Sequence, residues 1–103
     1  MQKLINGQPI DVNEEGYLTN LTQWNEGVAE TIATEEGVGP LTTRHWDVLR
    51  FLQDQQRKEV ALTIRRIGQS GVVSIKEFYD LFPGGPLKKA SKIAGIPKPA
   101  SCI

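Results

Sequence analysis

Ten glycines and six prolines punctuate this chain of 103 residues, and their positions limit how long any element can run. Gly37 with Gly39-Pro40, Gly68 with Gly71, Phe82-Pro83-Gly84-Gly85-Pro86, and Gly95 all read as stops. Glycine takes the left-handed turn that ends a helix, and proline lacks the N–H that would continue one. Between the stops lie short apolar stripes at helical spacing. Trp24, Val28 and Ile32, with Ala29 and Ala33 beside them, predict a first helix from about Thr22. Trp46, Leu49 and Leu52, with Val48 and Phe51, predict a second that ends near Gln56. Thr42 is its expected N-cap, and Leu41 is placed to staple onto Trp46. Val60, Leu62, Ile64 and Ile67 predict a third helix over 59–67. Ser74 and Glu77 form a capping-box pair that opens a fourth through Ile75, Phe78, Tyr79 and Leu81. Pro86 suits the first position of a fifth, with Leu87, Ala90, Ile93 and Ala94 inward and Gly95 as its end.

The first twenty residues follow a different rule. Asn6-Gly7 between Leu4-Ile5 and Ile10 reads as a tight turn, and Glu15-Gly16 precedes Tyr17-Leu18. The expected fold is mainly α (α+β): an N-terminal β-hairpin on a small orthogonal bundle of about five helices. Residues 1–95 are expected to form one domain. Residues 96–103, Ile-Pro-Lys-Pro-Ala-Ser-Cys-Ile, are expected to form an extended, flexible C-terminal arm, because its two prolines forbid helix.

At 39% hydrophobic and 23% charged residues, the composition fits a soluble globular protein rather than a disordered one. No apolar run approaches the ~18 residues of a membrane span, and the N-terminus has no signal-peptide core. One cysteine allows neither an internal disulfide nor a Cys-rich zinc site, so a reducing, cytoplasmic setting is expected. No phosphate-binding glycine loop, HExxH or His/Cys cluster occurs, and neither metal nor cofactor is expected. His45 in the first turn of a helix reads as structural, and Trp24 and Trp46 as packing residues.

A net charge of zero conceals an asymmetry. Residues 1–43 hold Lys3 against seven acids, and residues 44–103 hold eleven bases against five acids. Lys88, Lys89, Lys92 and Lys98 gather near the end with no acid among them. Two readings fit. The basic end steers toward an anionic partner, or the two halves attract each other.

Cys102 is the one side chain suited to covalent chemistry. A lone cysteine is usually a small buried hydrophobe, yet a position this close to the chain end is hard to bury. The other reading is a thiol displayed for a partner, whose active site supplies the remaining groups. Persulfidation and sulfur–sulfur exchange are reactions open to such a thiol.

Leu81-Phe82-Pro83-Gly84-Gly85-Pro86, then Lys92-Ile93-Ala94-Gly95-Ile96-Pro97-Lys98-Pro99 and Cys102-Ile103, resemble the C-terminal signature of the DsrC/TusE sulfur-relay proteins. Gly16-Tyr17-Leu18, Trp24, Ile32-Ala33, Glu36-Gly37 and His45-Trp46-Asp47-Val48 with Phe51 agree with it. The resemblance implies that Cys102 is the catalytic residue, carrying sulfur as a persulfide. Members that serve dissimilatory sulfite reductase have a second cysteine eleven residues earlier, where this chain has Ser91. A single-cysteine arm is similar to the branch that takes sulfur from a TusBCD-like donor complex and passes it toward a tRNA thiouridylase. Lys88, Lys89, Lys92, Lys98 and Ile103 are then the expected partner-docking residues. The resemblance is poor over 53–71, which carries Arg57, Lys58, Arg65 and Arg66. Two other readings stand beside it: a regulatory or DNA-binding protein using a helix-turn-helix around Gly68–Gly71, and a gamma-type docking subunit of sulfite reductase.

Overall fold

The computed structural model describes residues 1–99. Strands β1 (Gln2–Ile5) and β2 (Gln8–Asp11) pair antiparallel, with Ile5 opposite Gln8. Asn6 and Gly7 make the two-residue connection at φ 53° and 79°. Such a turn needs two left-handed residues, which asparagine and glycine tolerate best. A Val12–Leu18 bridge lengthens the ribbon. Ile5 and Ile10 share the face that enters the core, whereas Leu4 points outward opposite Pro9. The Thr31 hydroxyl donates to the Asn6 side-chain carbonyl at 2.9 Å and ties the turn to the first helix.

Five α-helices follow: α1 (Glu26–Glu35), α2 (Thr43–Arg57), α3 (Ile64–Gln69), α4 (Ile75–Leu81) and α5 (Pro86–Ile93). Helix α5 packs against α1, α2 and α4, and α3 packs on α4. The core is built from Ile32 of α1, Leu49 and Leu52 of α2, Phe78 of α4, Phe82, and Leu87 and Ile93 of α5, all at most 1% exposed.

The caps explain most element ends. Asn25, Thr63 and Ser74 each accept an N–H of the first turn of α1, α3 and α4 respectively. Thr42 caps α2 through a variant of the capping box. Its N–H donates to His45 Nδ1 at 3.0 Å, which leaves the ring proton on Nε2 to donate to the Leu81 carbonyl at 2.9 Å. One buried imidazole therefore fastens the start of α2 to the end of α4, with its ring edge-on to Phe82 at 5.2 Å.

Four expectations are corrected. Trp24 lies outside α1, after a 3-10 turn at Leu21–Gln23, because Asn25 is the cap. The third helix begins at Ile64 rather than near 59, because α2 ends in a left-handed residue, Glu59 (φ 58°), followed by irregular chain. Gly68 does not stop that helix. It lies inside α3, where a Cβ would meet Ile75 Cγ1 at 2.4 Å. Glu77 also does not close its capping box. Arg44 of α2 donates to both of its carboxylate oxygens, at 2.7 and 3.0 Å, and to the Val72 carbonyl at 2.7 Å.

Two predictions follow from these contacts. Glu59 closes the α2 C-terminus, with its N–H bonded to Gln56 O and that of Val60 to Gln55 O. This Schellman geometry favours glycine at the left-handed position. Glu59→Gly is expected to stabilise the fold by about 0.5–1 kcal/mol, read as a raised melting temperature. The hydrogen bond from Arg44 holds the Glu77 carboxyl below its ordinary value of 4.5. Its stabilisation is thus complete above that value and disappears as pH falls through the depressed one. Thermal melts of Glu77→Gln and of the unsubstituted protein should differ at neutral pH and converge in acid.

Candidate functional site

The site begins where α5 ends. A helix terminus leaves its last carbonyls without intrahelical donors, and here each finds one. Ile96 N–H donates to Ser91 O at 3.1 Å, and Gly95 N–H to Lys92 O at 3.2 Å. The Trp24 indole N–H donates to Ile93 O at 2.7 Å, and the Gln53 amide to Ala94 O at 2.8 Å. Gly95 sits at φ 76°, and a Cβ there would lie 2.6 Å from Trp24 Cδ1. Glycine is required twice over: by the backbone and by the indole face against it. Trp24 is therefore a clamp on the end of α5 rather than a packing residue of α1, and Gln53 is its partner from α2. Neither role has a sequence signature, since both depend on α2, α5 and the post-hairpin segment meeting.

Ile96, the first residue of the expected arm, is 1% exposed and belongs to the core. Pro97 and Lys98 are exposed, Lys98 binds the Glu15 carboxylate at 2.9 Å, and Pro99 is buried. Residues 96–99 thus lie against the body. Beside them, Leu18, Leu21, Ile96 and Pro97, with Asn13 and Gln56 at the edge, line a groove of about 450 Å³. Cys102 and Ile103 lie outside the described residues.

Three of the four expected docking lysines are held within the chain. Lys92 meets Glu36 at 3.1 Å and lies 5.9 Å from the centre of the Tyr17 ring. Lys89 donates to the Glu36 carbonyl at 2.7 Å. Lys98 meets Glu15, and Lys88 makes no ion pair among the described residues. Glu36 and Glu15 belong to the acidic half, as does Glu26, which pairs with Arg50 at 3.4 Å. The two halves of the charge asymmetry face each other.

Ser91 is fully buried, and its hydroxyl has no hydrogen-bond partner. In the α3–α4 region, α4 presents Lys76 beside Glu77 and Asp80, which is a weak match to a helix that reads bases. Among the described residues no group of His, Cys, Asp or Glu could hold a metal ion, and no helix is long and apolar enough to cross a membrane.

Comparison with known proteins agrees with this fold. The family model described as DsrC like protein matches residues 4–103. Sulfurtransferase TusE of Yersinia pseudotuberculosis is 40% identical over 94% of this chain and 96% of its own. The crystal structure of dissimilatory sulfite reductase I (DsrI) superposes with a TM-score of 0.85 at 32% identity over the whole of both chains. The solution structure of Allochromatium vinosum DsrC does so with a TM-score of 0.79 at 37% identity, again over the whole of both.

If the end of α5 is clamped as described, Gly95→Ala must both strain the backbone and displace the indole. It should cost at least about 2 kcal/mol, measured by urea denaturation, and should shift the tryptophan fluorescence of the native state.

Proposed function

The chain belongs to the DsrC-like family, and from that premise we propose that it is a sulfurtransferase of the carrier type. It takes a sulfane sulfur onto Cys102 as a persulfide and relays it to a partner. The observation that carries the reading is a family match that runs to residue 103, together with a relative named sulfurtransferase TusE that aligns over nearly all of both chains.

The chemistry needs one sulfur and no outside oxidant. The Cys102 thiolate attacks the outer sulfur of a donor persulfide. The donor's S–S bond breaks, its thiolate leaves, and a new S–S bond forms on Cys102. A second thiolate, on the acceptor, repeats the step and frees Cys102. The chain carries no other cysteine, and Ser91 stands where a second would be needed to trap the sulfur in a disulfide. Release must therefore come from another protein.

The body's contribution is placement. The clamp of Trp24 and Gln53 fixes where the chain leaves α5, and the Lys98–Glu15 pair holds residues 96–98 against the body. Cys102 follows only three residues after Pro99. A TusBCD-like complex is the proposed donor, a tRNA thiouridylase the proposed acceptor, and the cytoplasm the proposed setting, where a thiol stays reduced.

Mass spectrometry after incubation with a persulfide donor tests this directly. The intact protein should gain one sulfur mass that a reductant removes, and Cys102→Ser should fold normally and gain nothing. Sulfur retained by Cys102→Ser, or none taken by the unsubstituted protein, would reject the assignment.

A further inference from the structure

The cations still without a carboxylate include a close pair away from α5. Arg65 and Arg66 open helix α3, and among the described residues neither has an ion-pair partner. Lys76 and Lys88 are also without an ion pair among the described residues, but neither lines a hollow of the surface. Arg65 and Arg66 instead line one cleft of about 460 Å³ between α3 and the C-terminal half of α2. Gln55 and Gln69 add amide groups to its walls, and Phe51 adds an apolar surface.

The cleft is close to the site described above. Gln55 lines it, and Gln56, the next residue of α2, lines the groove at the root of the C-terminal segment. Successive helical residues differ by about 100° around the axis. The two hollows therefore flank one helix end, and a protein engaging the C-terminal segment comes within reach of both.

We infer that this cleft receives an acidic segment of the partner protein, its carboxylates held by Arg65 and Arg66. The inference builds on the carrier reading. Guanidinium takes a carboxylate through two parallel N–H donors, and the glutamine amides can hold the segment's backbone carbonyls. A protein fits better than a nucleic acid. A polyanion backbone requires a basic stripe with several phosphate contacts, but the chain is neutral overall and the cleft is lined by two bases only. Lys89 and Lys92 of α5 are already held by Glu36, which leaves Arg65 and Arg66 as the paired steering charge beside a cleft.

The full-length protein can be titrated with hexaglutamate at low salt while backbone amide shifts are followed by NMR. Shifts should centre on Gln55, Arg65, Arg66 and Gln69. They should require at least about tenfold more peptide in the Arg65→Ser/Arg66→Ser variant. Arg57→Ser/Lys58→Ser, which removes the same two charges from exposed side chains outside the cleft, should leave the titration unchanged. Shifts centred on Lys88, equal effects of all these substitutions, or tighter binding of a short oligouridylate at the same residues would overturn the inference. Loading of Cys102 from inorganic polysulfide needs no docking and should be equal in the double variant and the unsubstituted protein. Failure of the unsubstituted protein to load would defeat the carrier reading, while the peptide titration would still decide the cleft.

Discussion

Helix α5 ends with every one of its last carbonyls occupied, and much of the molecule is arranged to make that so. Two of the donors are local backbone N–H groups beyond the helix. The other two are the Trp24 indole and the Gln53 amide, brought from the post-hairpin segment and from α2. A buried carbonyl without a donor is costly, so this end cannot form until three parts of the chain have met. The same closure turns Ile96 back into the core and sets where the C-terminal segment begins. Precise placement and foldability here depend on the same contacts.

Electrostatics follow a related logic. The acid-rich first half and the base-rich second half neutralise each other across the fold: Glu36 with Lys92, Glu15 with Lys98, and Glu26 with Arg50. Lys92 and Glu36 are largely shielded from solvent, so salt screens their attraction less than that of an exposed pair. What remains unpaired is what the folded surface can offer to another molecule. Among the described residues, two adjacent members of that remainder, Arg65 and Arg66, fall on α3, in the segment where the resemblance to the family is poorest. Family-like residues at the chain end and a distinct charge pattern on α3 are compatible in a carrier. The sulfur step needs only one thiol, whereas choosing a partner needs a surface.

Much of this architecture was legible in the residues themselves. Asn6-Gly7 specifies a two-residue turn by its backbone preference alone. Thr42, Ser74, Pro86 and Gly95 specify helix ends, because caps and stops are local chemistry. Cys102 is singular in the chain, and the run from Leu81 to Pro86 with the sequence after Lys92 carried the family resemblance. The misreadings share one cause. Trp24 continues the apolar spacing of α1, and Val60 and Leu62 continue that of α3, yet neither segment is helical there. Spacing records which residues are buried, not the conformation that buries them.

The sequence by itself determined the element inventory, the turn and cap positions, the single thiol and the separation of charge between the two halves, since each rests on a residue and its near neighbours. Only the tertiary structure decided that Gly68 is small to admit Ile75, that Glu77 serves Arg44 rather than its own helix, and that His45 joins α2 to α4. It also decided that Lys89, Lys92 and Lys98 meet partners within the chain while Arg65 and Arg66 have no ion pair among the described residues. Those outcomes depend on which groups meet across long stretches of chain, and a pairing between distant residues is fixed by packing geometry that no local pattern encodes.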